Sequence, residues 1–144
     1  MSAADFKLQL NAEWKVKKRK MFKVWGQIAN DALTGIVMKA PVDTGRFRSN
    51  IILSINIPDI TTLPKTTIKG ASQVISDGQS KIKSQPGITA QQNNGTDGQI
   101  FPIYIQNNLP YAMRLENGWS KQAPEGMIAI TLNELQHKYN GMII

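Results

Sequence analysis

The longest regular pattern in the chain is a helical repeat of apolar residues that precedes a proline. From about Ala3 to Lys39, apolar side chains recur at helical spacing: Trp14, Met21, Trp25, Ile28, Ala32, Leu33 and Ile36. Because a proline ring biases the residue before it towards an extended conformation, Pro41 should end this helix. Unbroken, the helix would extend roughly 50 Å at about 1.5 Å per residue. A compact domain cannot cover that length alone, so we expect part of the helix to contact another subunit.

Two glycines lie inside this helical pattern. Gly26 and Gly35 each weaken a helix by about 1 kcal/mol relative to alanine. A glycine in a helix interior permits a bend or the close approach of another element. We therefore expect a bend or close packing near one of these positions.

The chain after the first helix predicts two short strands. Apolar residues alternate with smaller or polar ones over Phe47 to Ile57, which favours a strand that Pro58 ends. The same alternation over Ile100 to Gln106 favours a second strand. The segment Tyr111 to Glu116 fits either a helical turn or a further strand, which Asn117 and the following glycine should end.

A long polar insertion separates the two predicted strands. Residues 58–99 are rich in Thr, Ser, Gln, Asn and Gly, and we expect an extended loop there. Within it, Ala71 to Lys83 can form a short helix. Three turn-forming dipeptides over Gln85 to Gly98 predict loop.

A second amphipathic pattern closes the chain. It predicts a helix from about Glu125 to Tyr139, stopped by Asn140 and Gly141. Its apolar residues are expected mostly on the inner side: Met127, Ile128, Ile130, Thr131, Leu132 and Leu135. Together these elements predict one α+β domain over residues 1–144, with a long N-terminal helix, a small antiparallel sheet and a C-terminal helix.

Positive charge is concentrated in the first third of the chain. The formal net charge is +7, and the first 48 residues alone carry a net +6. The densest part is the run Lys15, Lys17, Lys18, Arg19 and Lys20. Such a run contacts nucleic acid only where it faces a phosphate backbone, whereas a solvated helix face is its commoner role. The sequence leaves both interpretations open.

The residue types present exclude several kinds of chemistry. The absence of cysteine excludes disulfides, thiolate metal sites and a cysteine nucleophile. One histidine, His137, is too few for a histidine metal site, and no phosphate-binding loop or Ser-His-Asp set is present. No apolar run approaches the length of about 20 residues that spans a bilayer. We expect a soluble, unexported protein without enzymatic activity, metal or cofactor.

Two short polar motifs, more than sixty residues apart, carry most of the functional information. Residues 40–48 read Ala-Pro-Val-Asp-Thr-Gly-Arg-Phe-Arg, and residues 111–120 read Tyr-Ala-Met-Arg-Leu-Glu-Asn-Gly-Trp-Ser. Each joins a turn-forming glycine to a carboxylate and at least one arginine, as in a chain reversal held by charge-assisted hydrogen bonds. The candidate structural and interface residues are Asp43, Thr44, Gly45, Arg46, Arg48, Tyr111, Arg114, Glu116, Gly118 and Trp119.

The sequence suggests two roles for these motif residues. We expect Asp43 and Glu116 to orient Arg46, Arg48 or Arg114, within or between subunits. Trp119 should lie on a loop, where it either anchors a protein interface or packs locally within its own subunit.

The two motifs together resemble those of the neck or tail-completion proteins of tailed bacteriophages, the family that includes the lambda minor tail protein Z type. That family shows a long N-terminal helix, a Pro-Val-Asp-Thr-Gly-Arg-Leu-Arg-like turn into a strand, and later a Tyr-Ala-x-x-x-Glu-x-Gly turn. The counterparts here are residues 41–48, with Phe47 where leucine is usual, and residues 111–118. Residues 103–110 and 120–127 also look like variants of this kind, and the long segment Asp59 to Gln99 is the main departure.

The resemblance implies a structural role in the virion. It implies a homo-oligomeric ring, six- or twelve-fold, that joins a head connector or head-closure ring to the tail terminator. The protein would be made and assembled in the host cytoplasm and reside in the virion neck, where the basic helix can face DNA or an acidic neighbouring ring. The alternative is a small basic protein that binds DNA without sequence preference through the same lysines.

Overall fold

Five helices and two strands make up the part of the chain that the computed structural model describes, residues 2–42, 44–84 and 101–142. Side chains are included except at positions 4–8, 10–12, 14 and 15. In chain order the elements are α1 (Ala3–Lys39), α2 (Arg46–Ser49), β1 (Ile51–Ile55), α3 (Ala71–Lys83), β2 (Ile103–Asn107), α4 (Ala112–Glu116) and α5 (Ile128–Tyr139). The predicted α+β class is confirmed, with its long N-terminal helix, small antiparallel sheet and C-terminal helix.

Helix α1 is continuous, and its described buried side chains lie in its second half. Its buried apolar residues are Phe22, Ala29, Leu33 and Val37. Their spacing of seven, four and four residues places them on one face of the helix. None of the described side chains from residue 2 to residue 20 is buried. The contact of this first half with another subunit stays a prediction.

Helix α5 packs against α1 at a glycine. A Cβ atom at Gly35 would lie 2.7 Å from the Cγ2 atom of Thr131, so the missing side chain allows the close approach that the sequence predicts here. Thr131 is buried, and its hydroxyl donates to the Met127 carbonyl oxygen at 2.6 Å. Further along the contact, Lys39 and Glu134 form an ion pair at 3.0 Å.

Helix α3 packs against α1 through a second glycine. A Cβ at Gly78 would overlap the Cδ2 atom of Leu33, which is fully buried. Val74 and Ile82, on the same side of α3, also lie in the core. The helix expected over Ala71 to Lys83 is confirmed, and it makes part of the predicted insertion a core element.

The sheet is a two-stranded antiparallel ribbon. Ile51 pairs with Asn107 and Ile55 with Ile103. Ile51 and Leu53 are buried, and Ile103 packs against the core from the partner strand. Because an isolated ribbon is marginally stable, packing of one face against helices is what holds these strands in place.

Both strands are shorter than predicted. The first was expected over Phe47 to Ile57, but Gly45, at a positive φ of 74°, opens the short helix α2 before the strand begins. Asn56, with φ of 73°, ends the strand. The second strand begins at Ile103, since Pro102 has no amide hydrogen with which to pair in the ladder.

Side-chain amides and hydroxyls fix the stretch between β1 and α3, which contains no helix or strand. The fully buried Asn50 accepts the Leu63 amide hydrogen at 2.7 Å, and Ser49 Oγ accepts that of Lys69 at 2.7 Å. Asn108 Nδ2 donates to two carbonyl oxygens of the same stretch. In this stretch, hydrogen bonds to side chains pair backbone groups that would otherwise be paired within a helix or a sheet. The loop predicted over Gln85 to Gly98 lies outside the described residues.

The C-terminal helix differs from its prediction at its start and on one face. It begins at Ile128 rather than near Glu125. Met127 and Thr131 are buried as expected, but Ile128 and Leu132 are exposed. Residues four apart share a helix face, so these two exposed residues form a short apolar stripe on the outer side of α5.

The contact between α3 and α1 generates a test. We expect Gly78→Ala to lower the free energy of unfolding by about 1–3 kcal/mol, because the new methyl group overlaps Leu33 in a filled core. Gly70→Ala is the matched control, since nothing lies within 4 Å of a Cβ at Gly70. Urea unfolding measures both, and equal stability of the two variants would contradict the packing described here.

The end of α5 gives a prediction about pH. Burial raises the pKa of Asp31, but hydrogen bonds from Lys138 and Tyr139 outweigh it and hold the pKa below its ordinary value. A depressed folded-state pKa contributes stability above the unfolded value, and this contribution is lost as pH falls through the folded value. Asp31→Asn should therefore lower the Tm near neutral pH and flatten its decline below about pH 4.

The control for this pH test is Glu13→Gln, which removes an exposed carboxylate from the same helix. It should leave the pH profile of the Tm unchanged. An Asp31→Asn profile as steep as that of the unmodified protein would refute a role for this contact in acid sensitivity.

Candidate interface at the junction of the two motifs

The first motif forms a tight turn between α1 and α2. Gly45 occupies the left-handed region as predicted, and Thr44 Oγ1 accepts the Arg46 amide hydrogen at 3.2 Å. The buried Ser49 closes the turn from the other side, since its hydroxyl donates to the Gly45 carbonyl oxygen at 2.6 Å. Asp43 lies outside the described residues, so its predicted bonds stay a prediction.

The second motif ends α4 in a Schellman turn. Gly118, with φ of 89°, donates to the Leu115 carbonyl oxygen at 3.1 Å, and Trp119 donates to that of Arg114 at 3.2 Å. A Cβ at Gly118 would overlap the Pro124 carbonyl oxygen. This position therefore needs glycine for its conformation and for its space.

The same turn places an arginine on a tryptophan. The Arg114 guanidinium lies 5.0 Å from the centre of the Trp119 ring, within the range of a cation–π contact. These are the two positions that usually make the side-chain contact of a Schellman turn. Trp119 is nevertheless 71% exposed. The sequence placed it on a loop, and the structure presents it on a defined turn.

Glu116 caps helix α5 from a distance in sequence. Its carboxylate accepts the amide hydrogens of Met127 at 3.0 Å, Ile128 at 2.9 Å and Ala129 at 3.1 Å. A carboxylate at a helix N-terminus also faces the positive end of the helix dipole. Gly126 allows the approach, because a Cβ there would lie 2.7 Å from Glu116 Oε1.

This role corrects the sequence-based hypothesis for Glu116. We expected it to orient an arginine within or between subunits, but within the subunit both of its carboxylate oxygens accept backbone amide hydrogens at the start of α5. An arginine contact between subunits stays a prediction. A signal for the cap was present in the sequence. Residues 125–127 read Glu-Gly-Met and offer no Ser, Thr, Asp or Asn at the position that usually caps a helix, so the cap had to come from elsewhere.

The two motifs meet in space. The rings of Phe47 and Tyr111 lie 6.4 Å apart between centroids. The Val42 amide donates to Gln122 Oε1 at 2.7 Å, and Asn107 Nδ2 donates to the Phe47 carbonyl oxygen at 2.8 Å. Residues that are distant in the sequence thus form one surface, which we call the motif junction.

An open cleft of about 590 Å³ lies at the motif junction. It is lined by Pro41, Thr44, Phe47, Tyr111, Leu115, Trp119, Ser120, Lys121 and Gln122. Three of these side chains are aromatic, and Lys121 is the one charged side chain among them. Aromatic and mixed polar lining of this kind is typical of a protein-binding surface.

The three motif arginines have different surroundings. Arg46 and Arg48 are half-buried, and the Nε atom of each is buried without a hydrogen-bond partner among the described residues. Arg114 is exposed and stacks on Trp119. Among the described carboxylates, none forms an ion pair with any of the three. Asp43 lies outside the described part of the chain, so its expected contact with one of these arginines stays a prediction.

The basic run lies on the first half of α1. Lys17, Arg19 and Lys20 are exposed and Lys18 is half-buried. The Lys15 side chain lies outside the described residues. Consecutive helical residues point about 100° apart, so these charges surround the helix rather than form a single stripe.

The described residues lack two other kinds of site. No group of three His, Asp or Glu side chains there is arranged to hold a metal ion. No helix there combines the length and the apolar character that crossing a bilayer requires. The one histidine, His137, is exposed near the end of α5, with Nδ1 2.9 Å from the Asn133 carbonyl oxygen.

No protein-family model, curated protein or solved structure matches this chain. The comparisons therefore neither support nor oppose the resemblance to phage neck proteins. A function for this chain has to be argued from its motifs and from the geometry of the motif junction.

The long-range cap generates a test. We expect Glu116→Ala to lower the free energy of unfolding by about 1–2 kcal/mol, because the amides at the start of α5 lose their acceptor. Glu125→Ala is the matched control, since it removes an exposed glutamate from the segment between α4 and α5 and should change stability by less than about 0.5 kcal/mol. Equal effects in urea unfolding would contradict the capping role.

Proposed function

We propose that the protein is a structural subunit of a tailed-phage virion. It forms a homo-oligomeric ring in the neck, between the head connector or head-closure proteins and the tail terminator. It acts by assembly rather than by catalysis.

The convergence of the two motifs supports this proposal. The resemblance rests on residues 41–48 and 111–118, and in the folded chain these segments form a single surface. Their special residues have specific structural tasks: Gly45 and Gly118 adopt positive φ, and Glu116 caps α5. Two motifs that contact each other in the folded chain support a family resemblance better than two turns that lie apart.

The observation that carries the proposal is the exposed Trp119 on the hydrogen-bonded turn of the motif junction. A tryptophan side chain has only two rotatable bonds, so it supplies a large contact area at a low cost in conformational entropy. Tryptophan and arginine are the residues that most often dominate the energy of protein interfaces. Met38 and Val42 add further exposed apolar area around residues 38–42.

The length of α1 also suits a subunit of an assembly. Its 37 residues span about 55 Å, yet the described side chains of its first half contribute nothing to the core. A projecting helix of this kind can reach a neighbouring subunit. In a closed ring, each subunit would give such a contact to one neighbour and receive one from the other.

A second candidate function follows from the basic run. Lys17, Lys20 and Lys23 are exposed, and basic side chains surround this part of α1. The lysines that face a duplex can bind its phosphates without sequence preference, with an affinity that falls steeply with salt. This binding is either the whole function, as in a small DNA-binding protein, or a contact with DNA that passes through the neck.

Native mass separates these proposals. We expect the purified protein to form a closed oligomer, or to join a ring when mixed with connector and tail-terminator proteins from the same source. A monomer alone is compatible with assembly, because a template can lower the entropic cost of association. A persistent monomer that ignores both partners and binds duplex DNA would overturn the neck proposal and favour the DNA-binding one.

Variants sharpen the same experiment. Trp119→Ala should weaken assembly by about thirtyfold or more, as expected for an interface hot spot. Ile57→Ala is the matched control, because Ile57 is equally exposed but follows β1 at the end of the sheet far from α2. Assembly that survives Trp119→Ala unchanged would remove the motif junction from the interface.

A further inference from the structure

The cleft at the motif junction combines an aromatic wall with positive charge. Phe47, Tyr111 and Trp119 supply the aromatic side chains, and Pro41 and Leu115 add further apolar area. Thr44 and Ser120, which line it, carry hydroxyl groups that can donate to a carbonyl oxygen of a bound peptide while they accept backbone amide hydrogens of their own turns. Grooves lined in this way suit extended peptide segments, which bring an apolar anchor and free backbone groups.

The charged side chains at this cleft, among the described residues, are basic. Lys121 lines it, and Arg114 lies over the Trp119 ring that lines it. In the described part of the chain, no acidic residue is among its lining residues. Glu116, the acidic member of the second motif, directs its carboxylate onto the start of α5, and Glu125 lines a separate depression beside Met38. A negatively charged occupant therefore complements the cleft.

The stacked arginine is well placed to bind a carboxylate. A guanidinium group on an aromatic face keeps its N–H donors at the edge of its plane, where they match the two oxygens of a carboxylate. Arg114 is exposed, so these donors are accessible. Its backbone carbonyl is fixed by the Trp119 amide, which holds both residues on the same turn.

We propose that the cleft binds an extended acidic segment of a neighbouring protein. An apolar side chain of that segment packs against Trp119 and Tyr111, and its carboxylates face Lys121 and Arg114. The inference rests on the proposed function in one respect, namely that the motif junction is an assembly interface. It adds that the partner segment bound at that surface is extended and acidic.

Blocked synthetic peptides test this inference with the full-length protein. The probe has a Pro-Leu centre with a glutamate pair on each side, and the control peptide replaces every glutamate by lysine. Amide signals of residues 118–122 in two-dimensional NMR report binding. We expect the acidic peptide to bind at least about tenfold more tightly than the basic one. Its affinity should fall as the salt concentration is raised.

Three variants locate the binding. Trp119→Ala should weaken binding of the acidic peptide by about thirtyfold or more. Arg114→Gln should weaken this binding several-fold and reduce its salt dependence. Met113→Ala is the matched control, since Met113 is as exposed as Trp119 but does not line the cleft. It should leave the affinity unchanged.

The outcomes separate this inference from the proposed function. Equal binding of the acidic and basic peptides, or acidic binding that is insensitive to Trp119→Ala, overturns the inference even where a ring forms. Duplex DNA that shifts the same amide signals more strongly than the acidic peptide also overturns it. Acidic binding at the cleft, in a protein that never assembles with connector or terminator proteins, instead supports the inference and counts against the neck assignment.

Discussion

The rest of the structure depends on how closely α3 and α5 approach the second half of α1. Both approaches occur at a glycine, Gly78 on α3 and Gly35 on α1, where a side chain would overlap Leu33 or Thr131. Each glycine costs its helix about 1 kcal/mol relative to alanine. Dense packing around the fully buried Leu33 has to offset that cost. The sheet then follows, because β1 packs on α3 and the Lys81 side chain donates to the Leu53 carbonyl oxygen at 2.8 Å.

Side-chain hydrogen bonds pair backbone groups that the two-stranded sheet does not pair. A ribbon of five-residue strands pairs few backbone groups with one another. The side chains of Asn50 and Asn107 supply part of this pairing, since each amide donates one hydrogen bond and accepts another. Asn50 donates to the Arg46 carbonyl oxygen and accepts from Leu63, while Asn107 donates to Phe47 and accepts from Leu109. These two residues hold the first motif, the polar stretch and the second strand in one arrangement.

The sequence predicted the elements whose signals are local and missed the contacts that depend on tertiary structure. Helical spacing was enough for α1, and glycine placement was enough for the turns at Gly45 and Gly118. For α3 the sequence allowed a short helix over Ala71 to Lys83 but did not predict that it packs in the core. The start of β1 was misplaced, because Phe47 continues the alternating pattern although Gly45 has already opened a helical turn. The role of Glu116 was missed, because its partners are backbone groups eleven to thirteen residues further on. The sequence showed that α5 lacks a usual capping residue, but not which side chain replaces it.

The cap supplied by Glu116 has a consequence for how the protein opens locally. The turn that carries Trp119 is closed at one end by α4 and at the other by the first residues of α5, and a single carboxylate joins the two ends. Unravelling the start of α5 would release that turn, and displacing the turn would uncap the helix. Backbone amides at Gly118 and at the start of α5 should therefore belong to one cooperative unit of hydrogen exchange. A partner that immobilises Trp119 would then slow exchange in a helix that it never touches.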